Sequence, residues 1–149
     1  MKEPFAYLKG EFVPASQCVL PVYDLGIVLG AAVTDFLRTF DQQPYRMEDH
    51  VQRFYRSCKY ARIKPPMDME ETMVISEKLL AENGALVPGQ ELGLVYYITA
   101  GENTVYAGAA GMPKEFKPSY VQHTFPLRFH LWRDVFLKGV HCVTPAPRH

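Results

Sequence analysis

The stretch that most constrains the fold of this chain runs from Asp24 to Arg62, where the hydrophobic pattern changes from that of strands to that of a helix. Residues 33–40 are rich in β-branched and aromatic side chains, which favour a strand. A polar break and Pro44 then allow residues 45–47 to return as a second strand. The pattern therefore predicts a β-hairpin in the first half of this stretch.

A helix is predicted directly after the hairpin, from Glu48 onward. One apolar stripe with the spacing i, i+3, i+4 and i+7 consists of Val51, Phe54, Tyr55 and Cys58. At about 100° per residue, Arg53 projects nearly opposite this stripe, and His50 lies one turn earlier on a neighbouring flank. Arg53 is therefore expected to face away from the core.

Turn and capping signals divide the rest of the chain into short strands and a second helix. Gly10 fits the tight turn of a hairpin, and Asp68 with Glu71 three residues later forms a helix-capping pattern. Gly26 and Gly30 bracket an apolar loop, where glycine permits left-handed backbone or the close approach of another segment. Further strands are predicted over the ranges 91–99, 119–125 and 139–144. These elements indicate an α+β fold in which two helices flank an antiparallel sheet.

The composition excludes several classes of partner. The chain has 149 residues, of which 48% are hydrophobic and 21% charged, as in ordinary globular proteins. Its 16 basic and 16 acidic residues balance, so no excess charge favours nucleic acid or an anionic membrane. No apolar run is long enough for a signal peptide or a membrane span. The three cysteines have no metal-ligand spacing and fit a reducing cytoplasm, so no metal site is expected.

Several motifs follow one another in a specific order. The chain carries Asp24 and Gly26, then Gly30, then Val33-Thr34-Asp35 with Arg38, and then Asp49-His50-Val51-Gln52-Arg53-Phe54. This set resembles the N-terminal small domain of the class IV, fold-type IV pyridoxal-phosphate enzymes, which include branched-chain and D-amino-acid aminotransferases and aminodeoxychorismate lyase. In that family an Asp-x-Gly, a second glycine, a Val-Phe-Glu strand ending in arginine and a Glu-His-x-x-Arg-Leu helix occur at about this spacing.

The resemblance implies an enzyme that uses pyridoxal 5'-phosphate to move an amino group between an amino acid, branched-chain or similar, and a 2-oxo acid. It assigns the cofactor phosphate to Arg53, whose guanidinium offers a planar, permanently charged fork of donors. It also implies a homodimer, since these enzymes are usually dimers. Aminodeoxychorismate lyase is the alternative within the family. The aminotransferase is preferred because the surroundings of Thr34 and Tyr97 show no cluster of basic groups for a dicarboxylate substrate.

The resemblance also assigns a pocket wall by position. Thr34 stands where the family usually has an aromatic residue, and Asp35 stands where it has glutamate, so the wall is expected to be smaller or more polar than usual. The substrate-binding residues implied by position are Thr34, Arg38, Tyr97 and Thr99, with Tyr106 as a further candidate.

The catalytic lysine of the family has no counterpart in this sequence. In the family this lysine forms a Schiff base with the cofactor and follows an arginine whose counterpart here is Arg148, so its position lies beyond His149. We therefore expect no catalytic residue within the chain. Three lysines before that point, Lys114, Lys117 and Lys138, are interpreted as solvated charges.

The expected organisation is a small domain over residues 1–126, an interdomain linker over 127–134 and the start of a truncated cofactor-binding domain, with its first strand, over 135–149. Two hypotheses follow. Either the chain is the front part of a transaminase, or it is a non-catalytic binding module that keeps the fold without the catalysis. A reading frame that continues past His149 to a lysine would favour the first hypothesis.

Overall fold

Six strands of the chain form one sheet in the computed structural model, which describes residues 3–103, 105 and 117–144. The strands are β1 (Phe5–Leu8), β2 (Glu11–Pro14), β3 (Ala32–Phe40), β4 (Gln43–Pro44), β5 (Leu92–Thr99) and β6 (Tyr120–Pro126). Their order across the sheet is β2-β1-β6-β5-β3-β4, and every neighbouring pair is antiparallel.

The helices differ strongly in length. They are α1 (Leu25–Val28), α2 (Met47–Ala61), α3 (Met69–Gly84) and α4 (Arg133–Lys138). Short 3-10 turns cover Ala15–Gln17 and Phe129–Trp132. None of the helices formed by the described residues is long and apolar enough to cross a membrane.

The two long helices α2 and α3 cover one face of the sheet. Side chains of α2, including the fully buried Phe54, meet alternate residues of β3 and β5 there. The main members of this core are Leu37, Val51, Phe54, Cys58, Leu79, Leu92, Leu94, Tyr96, Ile98 and Tyr120. The predicted α+β fold, an antiparallel sheet flanked by two helices, is therefore confirmed.

A buried polar network joins α3 to the centre of this sheet. The Ser76 hydroxyl lies 2.8 Å from the Gln122 Oε1 atom and 3.2 Å from the Tyr96 hydroxyl. The Gln122 amide in turn donates to the Tyr120 hydroxyl over 2.8 Å and to the Thr72 carbonyl over 3.2 Å. Because an unpaired polar group would be costly at this depth, the network favours the observed position of α3 against β5 and β6.

The opposite face of the sheet, here called the open face, carries the other half of each strand. Its β3 residues are Thr34, Phe36, Arg38 and Phe40, its β5 residues are Gly93, Val95, Tyr97 and Thr99, and its β6 residues are Val121, His123 and Phe125. The Phe36 and Phe125 rings stack at 5.8 Å across Gly93. A Cβ atom at Gly93 would lie 2.5 Å from the Phe36 ring and 2.9 Å from the Phe125 ring, so only glycine leaves room for this pair.

Local signals in the sequence correctly predicted several elements. The first hairpin turns at Lys9 and Gly10, which both have positive φ, at 50° and 105°. The Asp68 side chain caps α3 by accepting a hydrogen bond of 2.9 Å from the Glu71 backbone nitrogen. The apolar stripe predicted for α2 includes Val51, which is buried. The two strands predicted over 91–99 and 119–125 are formed within one residue of those limits.

The predicted position of the second hairpin was wrong. The return strand is β4 (Gln43–Pro44), and Met47 already begins a helix. The turn consists of Asp41 and Gln42 alone, with φ of 49° and 59°, which is the two-residue geometry that matches strand twist. Distant contacts hold it, because Gln42 donates to three carbonyls of the segment 84–90.

The strand predicted over residues 139–144 is not formed. These residues are exposed and have no strand pairing in the described part of the chain. The pattern of apolar residues alone could not supply the neighbouring strand that a strand needs for its hydrogen bonds.

We expect replacement of Gly101 by alanine to destabilise the fold more than the same change at Gly10. Both glycines have similar positive φ, 99° and 105°, so each substitution costs about 1–2 kcal/mol of backbone strain. A Cβ at Gly101 would also clash with the backbone carbonyl of Lys117, whereas nothing lies within 4 Å at Gly10. Chemical unfolding should therefore show a further loss of about 1–3 kcal/mol for Gly101→Ala. Equal losses in the two variants would contradict the close approach at Gly101.

Candidate functional site

A cluster of three charged or titratable side chains joins α2 to β3. Asp35 accepts two hydrogen bonds from Arg53, one of 2.6 Å from Nε to Oδ2 and one of 2.8 Å from Nη2 to Oδ1. The Nδ1 atom of His50 lies 2.8 Å from the same Oδ1. The Asp35 side chain is 4% exposed, that of His50 20% and that of Arg53 54%. The cluster thus runs from a buried carboxylate to an exposed guanidinium.

The sequence pattern indicated Arg53 as a site residue but did not predict its partner Asp35. Asp35 lies on the helix-covered face of β3 beside the buried Leu37, so its carboxylate points at α2. Arg53 is exposed, as the helical wheel predicted, but its long side chain reaches back along the flank of α2 to this carboxylate. A charged residue at a buried position of an alternating strand was the signal that could have predicted the pair.

The protonation of Asp35 is set by opposing effects. Burial alone would raise the pKa of Asp35, but hydrogen bonds from Arg53 and His50, together with the Arg53 charge, hold the pKa below its ordinary value. The same hydrogen bond and the Asp35 charge raise the pKa of Arg53. Asp35 is therefore a carboxylate and Arg53 a guanidinium cation at neutral pH.

The geometry leaves half of the Arg53 guanidinium available. Its Nε and Nη2 atoms face Asp35, whereas Nη1 has no hydrogen-bond partner among the described residues. A guanidinium has two edges that can each donate a pair of parallel hydrogen bonds, and the second edge suits a phosphate. The arrangement can therefore hold a phosphate group without breaking the Asp35 pair.

Two of the four substrate-binding candidates lie side by side on the open face. Thr34 is directly opposite Tyr97 in the β3–β5 register. Thr34 is exposed, and its hydroxyl donates to the Tyr96 carbonyl over 3.0 Å. Tyr97 is half-buried.

Thr99 is fully buried at the end of β5. Its hydroxyl accepts a hydrogen bond of 3.0 Å from the Gly101 backbone nitrogen. Gly26 of α1 packs so closely over this position that a Cβ there would clash with the Thr99 methyl group and lie 3.0 Å from the Tyr97 hydroxyl. This close approach explains the first glycine of the motif, and it separates Thr99 from solvent.

A buried carboxylate holds α1 in this place. Asp24 is inaccessible to solvent, and its two carboxylate oxygens accept hydrogen bonds of 2.8 Å from the Gly26 backbone nitrogen and the Ser119 hydroxyl. Gly30 ends the segment with a φ of 67°, so the second glycine of the motif provides left-handed backbone as predicted.

Arg38 lies two positions along β3 from Phe36 and is held by aromatic rings. Its guanidinium carbon is 3.8 Å from the Phe40 ring centroid and 4.7 Å from that of Phe129, and its Nε donates to the Thr39 carbonyl over 3.0 Å. Such cation–π contacts stabilise the cation where it stands. The structure therefore brings Arg38 to the open face but away from the Thr34–Tyr97 pair.

Four of the residues singled out in the sequence lie outside the described part of the chain, and two of the lysines lie within it. Tyr106, Lys114, Arg148 and His149 lie outside the described residues. Lys117 and Lys138 are exposed, as expected of solvated charges. In the described ranges, no group of three or more acidic, histidine or cysteine side chains is arranged to hold a metal ion.

Comparison with known proteins decides the family. The model of the amino-transferase class IV family matches residues 32–134, which is more than half of the chain and includes both the Asp35 strand and the Arg53 helix. The chain belongs to the class IV aminotransferases. This membership confirms the resemblance found in the motifs between Asp24 and Phe54.

Individual class IV relatives match along most of the chain. The D-alanine aminotransferase of Staphylococcus aureus is 26% identical over 118 residues, which are 79% of this chain and 40% of that protein. The branched-chain amino acid aminotransferase of Escherichia coli has a TM-score of 0.70 at 19% identity, covering 85% of this chain and 42% of that one. The PLP-bound form of a hypothetical aminotransferase from Mycobacterium tuberculosis has a TM-score of 0.63 at 17% identity, covering 85% of this chain and 41% of that one.

The two structural likenesses concern the fold alone, and they agree with the antiparallel sheet and its two long helices. The chain spans about two-fifths of the length of the class IV relatives that it matches.

We predict that the stabilising effect of Asp35 disappears in acid. Because its folded pKa is lowered, Asp35 stabilises the fold above its unfolded pKa of about 3.9, and this stability is lost as pH falls through the folded value. Asp35→Asn should therefore cost about 1–3 kcal/mol near pH 7 and progressively less at lower pH.

Urea unfolding at several pH values measures this difference. Asp134→Asn is the matched control, because Asp134 is exposed on α4 and forms a surface ion pair with the exposed Lys138, so its removal should change little at any pH. A wild-type to Asp35→Asn difference that stays constant down to about pH 3 would argue against the charged pair.

Proposed function

We propose that this chain forms the small domain of a pyridoxal 5'-phosphate-dependent transaminase, in which Arg53 binds the cofactor phosphate. The observation that carries the proposal is the division of the Arg53 guanidinium: one edge is held by the buried Asp35, and the other is exposed. Family membership and the PLP-bound relative support the choice of cofactor.

In this proposal the chain supplies binding and orientation. When bound, pyridoxal 5'-phosphate supplies the electron sink for moving an amino group between an amino acid and a 2-oxo acid. Arg53 anchors the phosphate from α2, and Thr34 and Tyr97 offer neighbouring hydroxyl-bearing side chains on the open face. Arg38 and Thr99 are proposed to support this wall from opposite ends of the β3–β5 pairing, Arg38 through its aromatic contacts and Thr99 from beneath α1.

The substrate class that we propose is an amino acid with an apolar side chain, branched-chain or similar. Support comes from the open face, where Phe36, Val95 and Phe125 are apolar neighbours. Among the described residues, the cation of this face is Arg38, and its guanidinium lies between two aromatic rings. A second carboxylate on the substrate would find little complementary charge there.

The proposed organisation follows from the same role. Residues 1–126 would be the small domain, 127–134 the linker and 135–149 the start of the cofactor-binding domain. The sheet ends with β6 at Pro126, and the residues from 128 to 144 are exposed, which supports a boundary at this point. We also propose a homodimer as the assembly and the cytoplasm as the compartment. The free Cys18, Cys58 and Cys142 are compatible with a reducing compartment.

Replacing Arg53 by glutamine should weaken binding of a phosphate-bearing cofactor form. Pyridoxamine 5'-phosphate is the suitable probe because it has no aldehyde to react with surface lysines. We expect loss of the charge-assisted hydrogen bonds to cost about 1.5–3 kcal/mol of binding free energy. Calorimetric titration should then show a dissociation constant that is roughly ten- to hundredfold larger.

Arg56→Gln is the matched control for this variant. Arg56 is exposed on the same helix, so its loss removes the same net charge without touching the site. Equal weakening by both variants would show a general charge effect, and no weakening by Arg53→Gln would reject the proposed anchor.

The protein isolated from its natural source should carry the cofactor. Borohydride reduction fixes pyridoxal phosphate covalently to a lysine amine, so intact mass spectrometry should detect a pyridoxyl adduct after reduction and not before it. A reduced sample without the adduct would favour a binding module that keeps the fold without the catalysis.

A further inference from the structure

We propose that Asp35 and His50 are positioning residues, which act through Arg53 and set the direction of the guanidinium edge that receives a phosphate group. The inference rests on the role proposed above for Arg53. Neither Asp35 nor His50 needs to touch the ligand, because both meet the guanidinium on its inner side.

The two edges of the Arg53 guanidinium have separate tasks. Asp35 occupies the side edge with both carboxylate oxygens, at 2.6 and 2.8 Å. The end edge, formed by Nη1 and the remaining hydrogen of Nη2, belongs to a side chain that is 54% exposed. A guanidinium is planar and rigid, so fixing one edge fixes the direction of the other.

Asp35 is a firm anchor for this purpose. Seven consecutive residues of β3, from Ala32 to Arg38, pair in register with β5. The short Asp35 side chain is 4% exposed and therefore has little freedom of its own. An exposed arginine that is otherwise free to sample many rotamers is thus held by a rigid part of the sheet, which lowers the entropy lost on binding a ligand.

His50 limits the position of the same pair from the other side. A carboxylate can only accept hydrogen bonds, so the Nδ1 atom of His50, 2.8 Å from Asp35 Oδ1, carries a proton. The Nη2 atom of Arg53 lies 3.1 Å from this nitrogen, so two donors share one carboxylate oxygen. His50 therefore closes one flank of the space in which the guanidinium can lie.

Asp35 stands where the family has glutamate, and in this chain the distances of 2.6 and 2.8 Å to Arg53 fit the shorter aspartate side chain. The length of the acidic side chain is therefore a requirement specific to this chain. Asp35→Glu keeps the charge but adds one methylene group, which moves the carboxylate by roughly 1.5 Å toward α2. If direction matters, this conservative change must redirect the end edge of Arg53. If only charge matters, the change is neutral.

The experiment uses the 149-residue chain and pyridoxamine 5'-phosphate, with pyridoxamine as the probe that lacks the phosphate. We expect Asp35→Glu to raise the dissociation constant of the phosphate probe on the order of tenfold or more, with no change for pyridoxamine. Asp134→Glu is the matched control, since it makes the same change at an exposed residue of another helix, α4, where the carboxylate pairs with Lys138. Circular dichroism and urea unfolding of each variant check that the fold is kept.

Action through Arg53 is tested in a double-variant cycle. In an Arg53→Gln background, Asp35→Glu should have no further effect on the phosphate probe, because the edge that it directs is gone. His50 is tested by a pair: His50→Asn retains a donor near Nδ1 and should bind nearly as the wild type, whereas His50→Phe should bind several times more weakly. If the Asp35→Glu variant does not fold, the comparison of His50→Asn with His50→Phe tests the positioning role by itself.

Each outcome tests either the positioning role of Asp35 and His50 or the proposed phosphate-binding function of Arg53. Wild-type affinity in a folded Asp35→Glu variant, or in His50→Phe, overturns the positioning role, and so does an equal effect of Asp35→Glu with and without Arg53. If Arg53→Gln leaves phosphate-dependent binding unchanged, the proposed function fails instead.

In that case nitrogen NMR still tests whether Asp35 holds the Arg53 guanidinium in place. The Arg53 Nε–H signal should be protected from solvent exchange in the wild type and lose that protection in Asp35→Asn. Equal exchange rates in both proteins would overturn the proposal that Asp35 holds Arg53 in place, independently of the ligand-binding results.

Discussion

The structure depends on the register of β5 between β3 and β6. Because side chains alternate along a strand, this register sends Leu94, Tyr96 and Ile98 into the core and places Gly93, Val95 and Tyr97 on the open face. A slip by one residue would exchange the two sets. The buried hydrogen bonds of Ser76 with Gln122 and Tyr96 further stabilise the observed register. The same register brings Thr34 opposite Tyr97 and turns Asp35 toward α2.

The elements that the sequence predicted well are those with local causes. The first hairpin depends on Gly10, α2 on its own apolar stripe, and the start of α3 on Asp68. The second hairpin has a non-local cause. Its turn places two residues other than glycine at positive φ, and these are held by the Glu91 carboxylate and by the carbonyls that Gln42 contacts. No window of neighbouring residues contains this information.

The site was predicted in part for the same reason. The motif around Arg53 identified the helix and the residue, and the comparisons with known proteins confirmed the family. The pairing with Asp35 depends on how a long side chain bends across the gap between helix and sheet, which a helical wheel does not describe. Burial of Thr99 by α1 likewise depends on the close approach of Gly26, 73 residues earlier in the chain.

The two edges of the sheet bear on how copies of the chain can associate. At one side the outermost strand is β4, two residues long with Pro44 in it, and at the other it is β2, which ends in Pro14. Proline has no amide hydrogen to offer, and short strands present few free backbone groups, so β2 and β4 each resist the addition of a foreign strand at their own positions. Among the described residues, β4 pairs with β3 only at Thr39 and Phe40. Association of two such sheets through the positions of β2 and β4 would therefore rely on contacts between side chains rather than on backbone pairing.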